Sequence, residues 1–305
     1  MQSQMIDVLK IWDRAPHNAM TDLIRFQNHW FCVFREGTDH VSPDGKIRIT
    51  TSDDGFSWES GCLISIPDID LRDPKITITP SGRLMLNAGG ALNAPSPQRH
   101  QSFVWFSDNG INWSRPASIC DPNYWLWRVT WNGDLAYGIA YSTVEPLGTR
   151  LYSSRDGVGY DILADKLFVE NFPNEATIAF QEDGTALCLL RRDAGSATAL
   201  LGQSLPGYEQ WNWKDLGIRI GGPNLIILPD GRIVAAIRRY GKQPWTSLNW
   251  VDPVKGSLTE FLMLPSGGDT SYAGLRWHEE ILWVSYYSSH EGRASIYLAR
   301  VELPR

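Results

Sequence analysis

The sequence predicts an all-β chain folded as a six-bladed β-propeller. Three observations carry this: apolar runs joined in pairs by short polar turns, recurrence of that pairing along the whole chain, and a turn-rich composition. The clearest pair is Phe172 to Asp193, FPNEATIAFQEDGTALCLLRRD. An apolar run from Ala176 to Phe180 meets a polar turn at Glu182, Asp183 and Gly184, and a second run follows from Thr185 to Leu190, the signature of a buried β-hairpin. Glu175 stands just before this unit and Arg191 just after it. A hairpin brings both its ends out on one side, so the carboxylate and the guanidinium are predicted to face one another.

The same pattern recurs at Leu23 to Phe34, Ile76 to Leu86, Val129 to Tyr141, Leu225 to Ile237 and Tyr272 to Tyr287. The turns follow one another at about 47 to 54 residues, the range of propeller blades. Each hairpin would form the inner half of a four-stranded blade, its outer half lying before the next hairpin. Six blades then occupy residues 1–305 as one domain. Length alone would suggest two domains, but a closed ring needs one. A composition of 43% hydrophobic and 11% aromatic residues with 27 Gly and 18 Pro supplies both a core and its many turns.

In chain order, Met5 to Ile11 reads as a short strand ahead of the first hairpin. It is expected to complete the last blade, whose own strands run out at Ala294 to Leu303, and so to remove two open sheet edges. The first blade supplies Leu23 to Phe34 and Lys46 to Thr51, then runs into TSDDGFSW at Thr51 to Trp58. Here an Asp is expected to accept backbone N–H bonds in a tight turn, with Gly55 supplying unusual backbone angles and Trp58 packing back between strands. A second copy, FSDNGINW, spans Phe106 to Trp113, and a reduced third, SSRDGVGY, spans Ser153 to Tyr160.

The first of these stretches matches the sialidase Asp-box, S/T-x-D-x-G-x-S/T-W, and with the blade repeat the chain resembles the sialidase superfamily of six-bladed propellers. The resemblance implies glycoside hydrolysis through an arginine triad gripping a substrate carboxylate, a Tyr nucleophile activated by a Glu, and an Asp acid/base. Glu175 and Arg191 are similar to the family's Glu and second Arg at the ends of one hairpin. GDTSYAGL, Gly268 to Leu275, is similar to the nucleophile segment and implies Tyr272 for that role. The loop FREGTDHVSPDG, Phe34 to Gly45, is where the acid/base Asp is implied, with Asp39 first, His40 second, and Asp73 of the next blade a further carboxylate. Where the family carries Phe/Tyr-Arg-Ile-Pro this chain reads HNAMTDL, His17 to Leu23, so the first arginine has no counterpart.

Blade topology gives a second route to the site. Residues just before each inner strand and just after its partner share one face. These are His17, Asn18, Asp73, Arg128, Glu175, Asn224 and Tyr272, with Arg35, Glu36, Asp39, His40, Arg191, Arg192, Arg238, Arg239, His290 and Glu291. The opposite face receives His29, Ser81, Asn132, Asp183, Asp230 and Glu279. Acid, base, cation and phenol therefore concentrate at one end. From them the expected catalytic set is Tyr272, Glu175, Asp39, His40 and Asp73. The expected substrate-binding set is Arg35, Arg191, Arg239, Arg128, His17, Asn224 and His290. Plainer readings are a structural Glu175–Arg191 ion pair, a core Tyr272 and solvated loop acids. A phenol of pKa about 10 needs a neighbouring base to act as a nucleophile at neutral pH.

Other classes fall away. His17, His40 and His290 have no metal-ligand spacing, and no metal or other cofactor is expected. Cys32, Cys62, Cys120 and Cys188 read as thiols, the first and last of them buried. A net charge of −6 without a Lys/Arg run argues against nucleic acid. No apolar stretch approaches the roughly 20 residues of a membrane span, and MQSQMIDVLK lacks a signal-peptide core, so a soluble, cytoplasmic chain is expected, or a secreted one if a leader was removed. Oligomeric state is not legible. The function expected is a retaining exo-glycosidase acting on an anionic terminal sugar, sialic, ulosonic or uronic. The alternatives are a non-catalytic carbohydrate- or protein-binding propeller and a uronic-acid polysaccharide lyase.

Overall fold

The computed structural model describes residues 3–93 and 96–304. Six four-stranded antiparallel sheets form the ring, and within five of them the strands pair in sequence order. The sixth is the closing blade: its outermost strand is the N-terminal Gln4–Trp12, paired with the C-terminal Ser295–Glu302. The prediction for Met5 to Ile11 therefore holds. A second latch lies at the inner end of the ring. The Asn18 amide and backbone N–H both donate to the Ala294 carbonyl, at 2.9 and 3.1 Å.

The innermost strands are His17–Phe26, Ile69–Ile78, Tyr124–Asn132, Pro173–Phe180, Ile220–Ile227 and Thr270–His278. In all six the pairing with the next strand slips at the same level, between Ala19 and Asp22, Arg72 and Lys75, Leu126 and Arg128, Pro173 and Ala176, Gly221 and Asn224, and Ser271 and Gly274. Each slip is a β-bulge, which bends the strand and re-aims a side chain. The residues inside the six bulges are Met20 and Thr21, Asp73 and Pro74, Trp127, Asn174 and Glu175, Gly222 and Pro223, and Tyr272 and Ala273. Pro74 and Pro223 suit these places because a bulge leaves one N–H out of the ladder. Left-handed backbone marks the same level, with φ of 65° at Met20, 51° at Asp73, 55° at Gly222 and 52° at Tyr272. The ring of bulges forms the floor of the funnel.

The core lies between blades. One apolar cluster crosses the axis, joining Met20, Trp125, Trp127, Tyr272 and Tyr287. Cys32 and Cys188 are buried, and all four cysteines are free.

The outer turns form on the side away from the funnel, with one correction to the expected chemistry. The Ser52 hydroxyl accepts the Gly55 N–H at 2.8 Å, and Asp54 Oδ1 accepts the N–H groups of Phe56 and Ser57 at 2.7 and 2.8 Å. The working carboxylate is thus Asp54. Asp53, the Asp of the matched motif, is exposed and meets His29 instead. Asn109 and Asp156 do the same work in the other two copies. The third copy, reduced in sequence, is complete as a turn because Arg155 stands at a position the turn does not use.

Candidate active site

Two adjoining constellations fill the funnel, and the first starts from the bulges. In the first, the Tyr272 hydroxyl donates to Glu175 Oε1 at 2.5 Å across blades four and six. The same oxygen accepts Arg191 Nη1 at 2.6 Å, and that nitrogen lies 3.1 Å from the Tyr272 hydroxyl. Glu175 Oε2 accepts the Gly222 backbone N–H at 2.7 Å, so both carboxylate oxygens are fixed. The face of the Tyr272 ring lies 5.0 Å from the Arg238 guanidinium carbon, within cation–π range. Burial pushes the Tyr272 phenol well above its ordinary pKa and the Glu175 charge adds to this, while Arg191 and Arg238 pull it down. Tyr272 therefore rests protonated against a carboxylate placed to take that proton.

The left-handed backbone at Ser271 (φ 88°) and Tyr272 (φ 52°) is an unfavourable conformation for both residues, held by the surrounding packing. Gly222 makes room for it: a Cβ there would stand 2.6 Å from the Tyr272 ring.

The second constellation centres on Asp269. Its Oδ1 accepts Arg238 Nη2 at 3.0 Å and the Tyr287 hydroxyl at 2.6 Å. Its Oδ2 accepts His17 Nε2 at 2.9 Å and His40 Nδ1 at 2.7 Å. These hydrogen bonds, His40's charge among the causes, hold Asp269 far below the usual carboxylate range against the opposing effect of burial. His17, His40, Asp39, Asp269 and Arg238 line a cavity of about 460 Å³. One ligand atom from each of His17, His40 and Asp269 lies within 4.8 Å of the others, a grouping that could hold a divalent cation. The nitrogen-to-oxygen separations of 2.7 and 2.9 Å are those of direct hydrogen bonds.

The candidate acids differ in setting. Asp39 is exposed, and its Oδ1 accepts the N–H of its own neighbour His40 at 2.7 Å. Asp73 is buried in its bulge with Oδ1 unpartnered, and burial pushes its carboxyl up to about 6, opposed by Lys75 and reinforced by Glu175. Of the candidate acids, Asp73 is the one whose burial favours the protonated form, whereas the loop position favoured Asp39.

Five of the expected substrate contacts lie elsewhere. Arg35 is wholly buried between the first two blades, its guanidinium spent on Asp70, the Asp39 carbonyl and Ser42. Arg239 turns outward and packs at 5.9 Å over Trp245, while Arg238 turns into the funnel, because neighbours on a strand point to opposite faces. Arg128 lies below the bulge floor, lining a cavity on the far side and clasping Asp22 at 2.8 and 3.2 Å. Asn224 is a buried strut donating to the Ala273 carbonyl at 2.9 Å. His290 packs against Tyr297 and bonds Ser288 outside the funnel. Arg191 and His17 do reach the site. Asp269, Tyr287, Arg238 and Gly222 were missing from the expected set, although Asp269 stands three residues before Tyr272 in the stretch that pointed there.

No protein-family model and no curated protein matches the sequence. Solved structures match its fold. A protein of unknown function from Dyadobacter fermentans superposes with a TM-score of 0.86 at 18% identity, covering 99% of each chain. Trypanosoma rangeli sialidase superposes at 0.73 and 11% identity over 94% of this chain but only 55% of that enzyme. An α-L-arabinanase from Penicillium chrysogenum, solved with arabinobiose, gives 0.71 at 14% identity over 97% of this chain and 98% of that one. In architecture the chain is a six-bladed β-propeller of the kind found in sialidases and arabinanases.

Proposed function

We propose that this chain is a retaining exo-glycoside hydrolase in which Tyr272 is the nucleophile and Glu175 its base. One observation carries the reading: a strained, buried phenol donates at 2.5 Å to a carboxylate that is itself fixed by Arg191 and the Gly222 N–H. A structural tyrosine would be satisfied by one neutral acceptor such as a backbone carbonyl, and a binding surface gains little from hiding it. Tyr272 attacks the anomeric carbon as its proton passes to Glu175, with Arg191 at 3.1 Å stabilising charge on the phenol oxygen; when that oxygen leaves the sugar in the second step, Glu175 returns the proton to it. Asp73 protonates the leaving oxygen and then, as carboxylate, draws a proton from the water that frees the sugar from Tyr272. Glycosidases among the structural neighbours support a carbohydrate substrate for this fold.

The test is covalent capture. A panel of 2-fluoro glycosyl fluorides, which slow the second step, should leave one sugar's mass on the peptide carrying Tyr272. Tyr272→Phe should abolish that mass and the hydrolysis of aryl glycosides together. Label on a carboxylate side chain, or hydrolysis surviving in Tyr272→Phe, would sink the assignment.

A further inference from the structure

Asp269 collects, from within the chain, the kind of hydrogen bonds that a carboxylate ligand would take. We propose that it is an internal carboxylate filling the anion-recognising corner of the funnel, and that the terminal sugar presented to Tyr272 therefore carries no acidic group. The second half of this rests on the glycosidase reading; the first does not.

A carboxylate has about four acceptor positions. Asp269 fills all of them from inside the protein, with Arg238, Tyr287, His17 and His40. Its backbone is pinned as well. The Asp269 N–H donates to the Ser289 hydroxyl at 2.9 Å, and Ser289 N–H donates back to its carbonyl at 2.9 Å. Gly268, at φ 65°, makes that approach possible, since a Cβ there would meet Ser289 Oγ at 2.3 Å.

Among the described residues, the arginines that turn into the funnel keep no edge on which both nitrogens are without a partner. Recognition of a carboxylate by arginine uses two parallel N–H groups on one edge of the guanidinium. Arg191 has one terminal nitrogen on Glu175 and the other on Asp193, which leaves only its buried, unpartnered Nε, a single N–H and not a parallel pair. Arg238 spends Nε on the Thr270 carbonyl and Nη2 on Asp269 and Tyr287. Arg72 is committed to Asp70. Arg293, which with Arg238 lines this cavity among the described residues, is an exposed rim residue giving one N–H to the Asp13 carbonyl, where a hydrated pair would add little. An acidic sugar would also meet the carboxylates of Glu175 and Asp269, like charges that disfavour it.

The experiment pairs the native chain with Asp269→Gly, and with Asp269→Asn in case the glycine variant does not fold. Rates are measured on matched aryl glycosides of neutral pyranoses and furanoses and on aryl sialoside and glucuronide. Binding of sodium formate is followed by calorimetry. The native chain should hydrolyse a neutral glycoside and bind no formate in the funnel. Asp269→Gly should lose at least about tenfold in that rate, bind formate saturably, and regain part of the rate when formate is added. In Asp269→Asn the loss should persist without rescue, since the amide still fills the corner. Preference of the native chain for sialoside or glucuronide would overturn the inference while leaving the hydrolase standing. Formate binding equal in native and Asp269→Gly would overturn it too. If no glycoside turns over but only Asp269→Gly binds formate, the internal carboxylate stands and the hydrolase reading fails.

Discussion

Glu175→Gln is the most informative single change. Oε1 of Glu175 accepts two donors, Tyr272 and Arg191, and Oε2 accepts a third, the Gly222 N–H. A glutamine offers one carbonyl oxygen and one NH2 group. Turned one way, the NH2 opposes the Gly222 N–H; turned the other way, it opposes Arg191, which cannot accept. One buried donor is left unmatched in either case, a cost of about 1–3 kcal/mol of stability. Arg191 keeps its second carboxylate, Asp193, at 2.8 Å, so the hairpin holds. The catalytic loss should be larger. An amide cannot take the Tyr272 proton, and removing a positioned base costs about 100- to 10,000-fold, or roughly 3–5 kcal/mol of barrier. The assay is aryl alcohol release from whichever glycoside the native chain accepts, with thermal unfolding followed in parallel. Combining Glu175→Gln with Tyr272→Phe should be little worse than either alone, since the two act as one unit. A rate within about threefold of native, with only the melting point lowered, would show that the pair is a structural tie and that Tyr272 is not activated through it.

Four further outcomes are expected. Asp73, raised to about 6, gives the folded chain one proton more than the unfolded chain between about pH 4 and 6, so stability should fall as pH rises through that window, by about 3 kcal/mol. Asp73→Asn should remove that dependence and be the more stable at pH 8, as urea titrations at several pH values would reveal. As an acid variant it should also lose rate on a glycoside with a poor leaving group and much less on a dinitrophenyl glycoside; equal losses on both would return the role to His40 or Asp39. Gly222→Ala, pressing on the Tyr272 ring from 2.6 Å at a left-handed position, should cut hydrolysis by about tenfold or more, read as kcat at saturating substrate. Arg35→Ala should cost about 3 kcal/mol or more in denaturant titrations and leave KM unchanged, because the guanidinium is wholly buried against Asp70 and meets no ligand.

Much of the fold was legible because period-two patterning and turn residues act locally. The Phe172–Asp193 hairpin, its five relatives and the closing strand near Met5 follow from residues adjacent in the chain. The pairing of Glu175 with Arg191 was legible for the same reason, being set by one hairpin's register. Register by itself could not say which of Arg238 and Arg239 faces the funnel. Which face of that regular strand turns inward is set only by how the blades close; on the inner strands, a bulge of one residue also reverses every side chain beyond it, and bulges leave only faint marks, such as Asp73-Pro74 and Gly222-Pro223. The outer turns show the same limit in miniature, since the residue that caps them proved to be Asp54 and not Asp53.

What the chain decides by itself, then, is the number of blades, where each begins, and which end of each hairpin carries chemistry. These depend on interactions spanning a few dozen residues at most. Tertiary structure alone decided which charges are free. Arg35 is spent on Asp70, thirty-five positions away, and Asp22 draws Arg128 below the floor from a blade two places on. Asp269 gathers His17, His40, Arg238 and Tyr287 from three blades. An arginine reads alike in sequence whether it awaits a ligand or has been neutralised by a carboxylate brought beside it. Only closing the ring fixes those separations, because Coulomb interaction and hydrogen bonding depend on distances in space and not along the chain.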